Sequence, residues 1–189
     1  SYMPGGALNV ANNIHSLGGT VYPCGIIGRD LPGRMLVKTI RRQGIDTGGI
    51  LYDSARPTSI KTRVIAHSQQ VVRFDREQTA DISNEALERI IHFVKRRISS
   101  VDVVLIEDYG KGVIQPKLLK QVVGLAKRFK KPVLVDPKEK HFSYYVGVTA
   151  ITPNRKEACV GLGLNHSGKD YSIEEIGKRL LKKLKTEAV

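Results

Sequence analysis

The sequence predicts an α/β fold, with a mainly parallel sheet flanked by helices and a small β sub-structure laid over it. Three observations carry this. Short apolar runs stand at 103–106, 132–135 and 149–152, the first of them between helical patterns at 84–98 and 117–129. Each run stops abruptly in polar residues, as strands do at the carboxyl edge of a parallel sheet, where open α/β folds bind ligands. Between 48 and 75 the helical period disappears, and two strands replace it, the first of them alternating.

Pro4, Gly5 and Gly6 lead into a helix whose apolar positions are Ala7, Val10, Ala11, Ile14 and Leu17, stopped by Gly18 and Gly19. A strand is predicted over 20–27, with Pro23 marking an edge or a bulge. Asp30 is the predicted N-cap of a helix over 31–43, with Pro32 in its first turn and Gly44 at its end. Residues 59–66 and 70–75 read as two strands joined by a polar turn at 67–69, within a small β insertion of about 48–76. Ser83 caps a helix over 84–98 with the face Leu87, Ile90, Ile91, Val94 and Ile98. Residues 103–106 read as a strand buried on both faces. Pro116 opens a helix over 117–129, and Ser172 with Glu175 predicts a capping box for a last, basic helix.

Composition narrows the function. The 189 residues are 41% hydrophobic, with no apolar run long enough to span a membrane and no signal-peptide pattern. Two lone cysteines, Cys24 and Cys159, without C-x-x-C spacing point to a reducing, cytoplasmic setting and no structural zinc. Lys and Arg total 31 against 18 acids, a net charge of +13, which favours anionic partners. The cations cluster at helix ends, where they complement the dipole. They lack the aromatic interleaving of a nucleic-acid surface. The stretch 163–169 has P-loop spacing, but Asp170 stands where Ser or Thr is required. The glycosylation triplet at 165–167 has no role in a cytoplasmic chain.

Three strand ends supply the candidate chemistry. They carry Asp108 and Lys111, then Asp136 and Lys138, then Asn154 and Glu157. Lysines hold phosphoryl oxygens, while Asn and carboxylates order Mg²⁺ and its waters. That combination suits phosphoryl transfer better than hydride transfer. A lysine beside each of Asp108 and Asp136 is expected to hold their pKa low. Gly5 and Gly6 let a ligand approach the backbone near Asn9, though an ordinary turn has the same spacing. Lys61, Arg63 and Arg73 project from the hairpin, either as edge-blocking cations or as an anion clamp.

Several stretches together resemble one family. They are P-G-G-A-L-N-V-A-N-N-I at 4–14, R-P-T-S-I-K-T-R-V-I-A at 56–66, Q-Q-V-V-R-F-D at 69–75, E-D-Y-G-K-G at 107–112, D-P-K at 136–138 and T-P-N-R-K-E at 152–157. The chain resembles the ribokinase-like (PfkB) sugar kinases, and among them the heptose 7-phosphate kinases, which are often fused to an adenylyltransferase. The resemblance implies a ribokinase-like three-layer fold with a β lid, and ATP with Mg²⁺ as cofactors. It implies transfer of phosphate to the anomeric hydroxyl of a phosphorylated heptose, on the route to ADP-heptose. Gly5, Gly6, Asn9, Lys61, Arg63, Arg73, Asp108 and Lys111 are then expected on the sugar. Asp136, Lys138, Asn154 and Glu157 are expected on ATP, with Asn154 and Glu157 reaching Mg²⁺ through water. It also implies a homodimer through the lid. The family's first strand and its Gly-Ala-Gly-Asp base motif are expected outside residues 1–189, so no catalytic base is expected within them. Another ribokinase-like kinase, or a basic binding module without catalysis, is the competing expectation.

Overall fold

A computed structural model describes residues 3–67, 69–164 and 171–189. The P-loop-like spacing, the glycosylation triplet and the centre of the hairpin turn at Ser68 therefore lie wholly or partly outside the described residues. The chain divides into two compact units: Ser1–Ala86 with Lys111–Val113, and Leu87–Gly110 with Ile114–Val189.

In the first unit, α1 (Ala7–Ser16) ends where Gly18 takes a φ of 88°. Strand β1 (Cys24–Gly28) begins after Pro23, four residues later than the sequence suggests, because proline has no N–H for the ladder. Helix α2 (Leu31–Arg42) is capped as expected, the Asp30 carboxylate accepting from the Gly33 N–H at 3.0 Å. Strand β2 (Gly49–Asp53) is one the sequence does not predict, since from Gly48 onward it shows only the loss of the helical period. It pairs in parallel with β1, from Cys24 opposite Gly49 to Gly28 opposite Asp53. The lid stretch thus contributes one strand to the parallel pair. Only β3 (Ile60–Ala66) and β4 (Gln69–Arg76) form the antiparallel hairpin, with a register shift between Val64 and Ile65.

The hairpin is tied to the turn between β1 and α2. Thr58 donates its hydroxyl and its N–H to the Asp30 carboxylate at 2.5 and 3.0 Å, and its hydroxyl oxygen accepts from the Gly28 N–H at 3.0 Å. Burial works against the Asp30 charge. The Thr58 and Gly33 hydrogen bonds and the Arg76 charge outweigh it and hold the carboxyl below the usual range. Ile27, Val37, Ile40, Ile45 and Ile50 form this unit's core.

In the second unit, β5 (Val104–Glu107), β6 (Val133–Asp136) and β7 (Ala150–Ile151) form a parallel sheet in that order. Helix α3 (Asn84–Arg97) begins in the last residues of the first unit and buries Leu87, Ile90, Ile91 and Phe93. Phe93 was not on the expected stripe. Helix α4 (Pro116–Arg128) buries Leu118, Leu119, Val122, Val123 and Ala126, while the expected Phe129 becomes a half-exposed C-cap. Helices α5 (Arg155–Leu162) and α6 (Ile173–Leu184) complete the unit. The reading of 103–106 as buried on both faces is corrected. Ile106 is buried while Val103 and Leu105, on the opposite face, are exposed, so among the described residues only one face of β5 is covered. The core gathers Ile98, Ile106, Val135, Tyr145, Ile151 and Leu180.

Candidate functional site

The carboxyl edge of the three-stranded sheet gathers the polar strand ends. Glu107 and Asp136 are direct cross-strand partners, and the Asp108 N–H donates to the Asp136 carbonyl at 3.0 Å. Asp136, Glu157 and Asp108 sit close enough for their charges to interact. The expectation that lysine neighbours lower the Asp136 pKa is corrected. Burial raises it, and the charges of Glu157 and Asp108 raise it further. The lysine next to it is occupied otherwise, since Lys138 Nζ pairs with Glu139 at 2.8 Å. That hydrogen bond is the main reason the Lys138 pKa is raised and the Glu139 pKa lowered. Glu107 is also pushed up, first by burial and then by Asp136.

Asp108, expected on the sugar, is turned into the protein. Its side chain is 1% exposed. Oδ1 accepts from the Gly110 N–H at 2.7 Å. Oδ2 lies 2.5 Å from His141 Nδ1 and accepts from the Tyr145 hydroxyl at 2.7 Å. A carboxylate offers about four lone-pair sites, and this one is turned inward with three occupied. Burial pushes the Tyr145 pKa far up, keeping that hydroxyl a neutral donor. His141 and Tyr145 were not singled out from the sequence. Both belong to or adjoin a 3₁₀ turn over Glu139–Tyr144, which leaves no 3.6- or 2-residue period to read.

Asn154 and Glu157 also do something the sequence reading did not assign to them. Together they form a reciprocal capping box at the start of α5. The box expected at Ser172 and Glu175 is half made. Ser172 Oγ accepts the Glu175 N–H at 3.1 Å, while the Glu175 carboxylate turns to Arg179 at 2.5 Å. Among the described residues no group of three His, Cys, Asp or Glu is arranged to hold a metal. With Glu157 already bonded to backbone, the residues present fit Mg²⁺ through water and not as a dedicated cage.

The remaining candidates lie on the first unit. Gly6 has a φ of 55° as the N-cap of α1, and the Asn9 N–H donates to its carbonyl at 3.0 Å. Lys61, Arg63 and Arg73 are exposed on the hairpin, with Arg63 directly opposite Arg73. Arg73 pairs with Asp75 at 2.8 Å. The Lys111 ammonium pairs with Glu77, a partner the sequence did not suggest. Two surface cavities, about 390 Å³ beside Leu119, Lys127 and Tyr144 and about 420 Å³ beside Arg29, Asp30, Arg56 and Arg76, are lined by none of the candidate ligand residues.

Known proteins agree with this architecture. The phosphofructokinase-2 from Escherichia coli in complex with substrates and products superposes with a TM-score of 0.69 at 14% identity, over 96% of this chain and 59% of that one. An Arabidopsis thaliana ribokinase complexed with ribose and ATP gives 0.66 at 17% identity, over 96% and 57%. At such identities the likeness shows the ribokinase-like fold alone. In sequence, the chain is 40% identical to a Wolinella succinogenes protein named Bifunctional protein HldE, over 97% of this chain and 38% of that protein. It is 46% identical to the protein of the same name from Trichlorobacter lovleyi, over 85% and 33%. The chain therefore spans about a third of the length of these relatives. The model of the pfkB family carbohydrate kinases matches residues 1–189 throughout, and the chain belongs to that family.

Proposed function

We propose that the chain carries ligand-binding parts of an ATP-dependent heptose 7-phosphate kinase. In the reaction, the anomeric oxygen of D-glycero-D-manno-heptose 7-phosphate attacks the γ-phosphorus of ATP. The O–P bond to the sugar forms, the bond to the ADP oxygen breaks, and a base takes the hydroxyl proton. The products are heptose 1,7-bisphosphate, on the way to ADP-heptose, and ADP. The observation that carries the reading is the gathering of Asp136, Lys138, Asn154 and Glu157 at one sheet edge in a pfkB-family chain. Lys138 would meet phosphoryl oxygens, and Asn154 with Glu157 would order the waters of Mg²⁺, which offsets charge on the transferring phosphoryl group.

Gly5, Gly6, Asn9 and Lys111 are assigned to the sugar phosphate, with Lys61, Arg63 and Arg73 as the lid's anion clamp. Arg63 opposite Arg73 supports the clamp, because like charges across a strand pair are unfavourable without an anion between them. The hairpin also leaves Val64, Val72 and Phe74 exposed on one face, at 42, 38 and 59%. Such an apolar patch favours burial against a second copy, and we assign a lid-mediated homodimer to it. We place the enzyme in the cytoplasm. Among the described residues, no helix is long and apolar enough to cross a membrane.

The test is ATP consumption by the full-length protein with heptose 7-phosphate, fructose 6-phosphate and a nucleoside offered separately. A clear kcat/KM preference for heptose 7-phosphate is expected. Preference for another acceptor would reassign the protein within the family, and no turnover on any would remove the kinase reading. Light scattering of Phe74→Glu, expected to be monomeric where the parent is dimeric, checks the dimer.

A further inference from the structure

We propose that Asp108 and Tyr145 are a positioning pair for Lys138 and touch neither sugar nor nucleotide. The inference rests on the reading above, in which Lys138 meets a nucleotide phosphate. The Tyr145 hydroxyl is used twice: it donates to Asp108 Oδ2 at 2.7 Å and accepts from the Lys138 N–H at 3.0 Å. A hydrogen-bonded chain therefore runs from the end of β5, through a fully buried tyrosine, to the backbone of the lysine that follows β6.

The lysine side chain is set from the same place. Asp108 Oδ1 holds the Gly110 N–H at 2.7 Å, and Gly110 adopts a φ of 63°. A Cβ on Gly110 would stand 3.4 Å from Lys138 Cγ, so the lysine stem runs over the bare Cα. One carboxylate thus governs both the backbone and the stem of Lys138. His141 braces the arrangement from the other side, its Nδ1 2.5 Å from Asp108 and its own N–H bonded to the Lys138 carbonyl at 2.9 Å. A buried carboxylate is costly unless its oxygens are satisfied, and an apolar residue would fill the space at less cost. The network's product at the surface is a lysine with a fixed origin, and preorganisation of that kind is what an electrostatic phosphate contact needs.

The experiment uses the full-length protein and four variants: Lys138→Ala, Tyr145→Phe, Asp108→Asn, and Lys138→Ala combined with Tyr145→Phe. Tyr145→Phe deletes one oxygen and should raise the KM for ATP about tenfold while leaving the KM for the sugar phosphate within about twofold. In the Lys138→Ala background the same change should add nothing to the ATP KM, because the group being positioned is gone. Hydrogen exchange at the Lys138 amide should quicken in Tyr145→Phe while the Val135 amide stays protected. A fully additive effect, or an ATP KM unmoved by Tyr145→Phe, overturns the positioning role. If Lys138→Ala itself leaves the ATP KM unchanged, the assignment of Lys138 to the nucleotide fails, and this inference fails with it. Should Tyr145→Phe not fold, Asp108→Asn is expected to show the same ATP-selective change, and its absence overturns the proposal.

Discussion

Asn154 and Glu157 exchange hydrogen bonds across the first turn of α5. Asn154 Oδ1 accepts the Glu157 N–H at 3.0 Å, and Glu157 Oε2 accepts the Asn154 N–H at 2.9 Å. This separates the fold's need for the pair from any need of catalysis. Asn154→Ala removes an N-cap and should cost about 1 kcal/mol of stability. Glu157→Gln keeps an acceptor for the same N–H, so its melting temperature should stay within about 2 °C of the parent. If the Glu157 charge orders Mg²⁺ waters, Glu157→Gln should nonetheless lower kcat in the full-length protein by about tenfold or more. Equal losses of stability and rate in both variants would leave only the cap.

Asp136 should make stability fall as pH rises through the acid range. Its folded pKa lies above the ordinary Asp value of ~3.9, so in that window the folded state binds more protons than the unfolded one. The full destabilisation is present above the folded pKa and vanishes below the unfolded one. Asp136→Asn should therefore be more stable than the parent at neutral pH, with the gap closing below about pH 4. Thermal unfolding of both proteins between about pH 3 and 8 checks this. A gap that does not change with pH would mean that charge is not the cause. Glu107, raised first by burial and then by Asp136, should also titrate at lower pH in the variant.

What the sequence made legible were features with a short local cause. The Asp30 cap, the Ser83 cap with its 3.2 Å bond to Ala86, and Pro116 in the first turn of α4 all stand where residue type and spacing placed them. The strand ends were legible as well, since apolar runs breaking into acids are a local pattern. The direction of the side chains there was not. Asp108 faces inward because His141 and Tyr145, more than thirty residues on, supply its donors. Lys138 pairs with the adjacent Glu139 and not with Asp136, and Lys111 pairs with the distant Glu77. Strand β2 was missed because five residues opening with glycine show no period, and only pairing with β1 defines them.

Gly110 and Gly112 look equivalent in sequence and are not. A Cβ on Gly112 would lie 1.9 Å from the Ala80 carbonyl oxygen, a backbone atom, and the residue has a φ of 77°. Gly112→Ala should destabilise by about 3 kcal/mol or more, from the clash and the left-handed conformation together. At Gly110 the nearest atoms are the flexible lysine carbons Lys140 Cε and Lys138 Cγ, at 3.3 and 3.4 Å. Gly110→Ala should therefore cost only the φ penalty of about 1–2 kcal/mol. Urea denaturation of the two variants should rank them in that order. The reverse ranking would mean that Gly112 is free to move away from Ala80.

The hairpin cations can be tested for function apart from stability. Arg63 and Arg73 face each other across β3 and β4, and Arg73 is partly offset by Asp75 at 2.8 Å. Both are exposed, so neither contributes to a core. Removing Arg63 relieves a like-charge contact, and Arg63→Ala should leave stability within about 0.5 kcal/mol of the parent or slightly raise it. An edge-blocking role predicts aggregation of the variant with unchanged kinetics. An anion clamp predicts the opposite: a soluble variant whose KM for the phosphorylated sugar rises about tenfold, while the KM for ATP stays within about twofold. Arg73→Ala should follow the same pattern with a smaller rise, because Asp75 already offsets part of its charge. Steady-state kinetics of the full-length protein, varying one substrate at a time, separate the two roles. A rise confined to the ATP KM would move the clamp to the nucleotide and sink the assignment of the lid to the sugar.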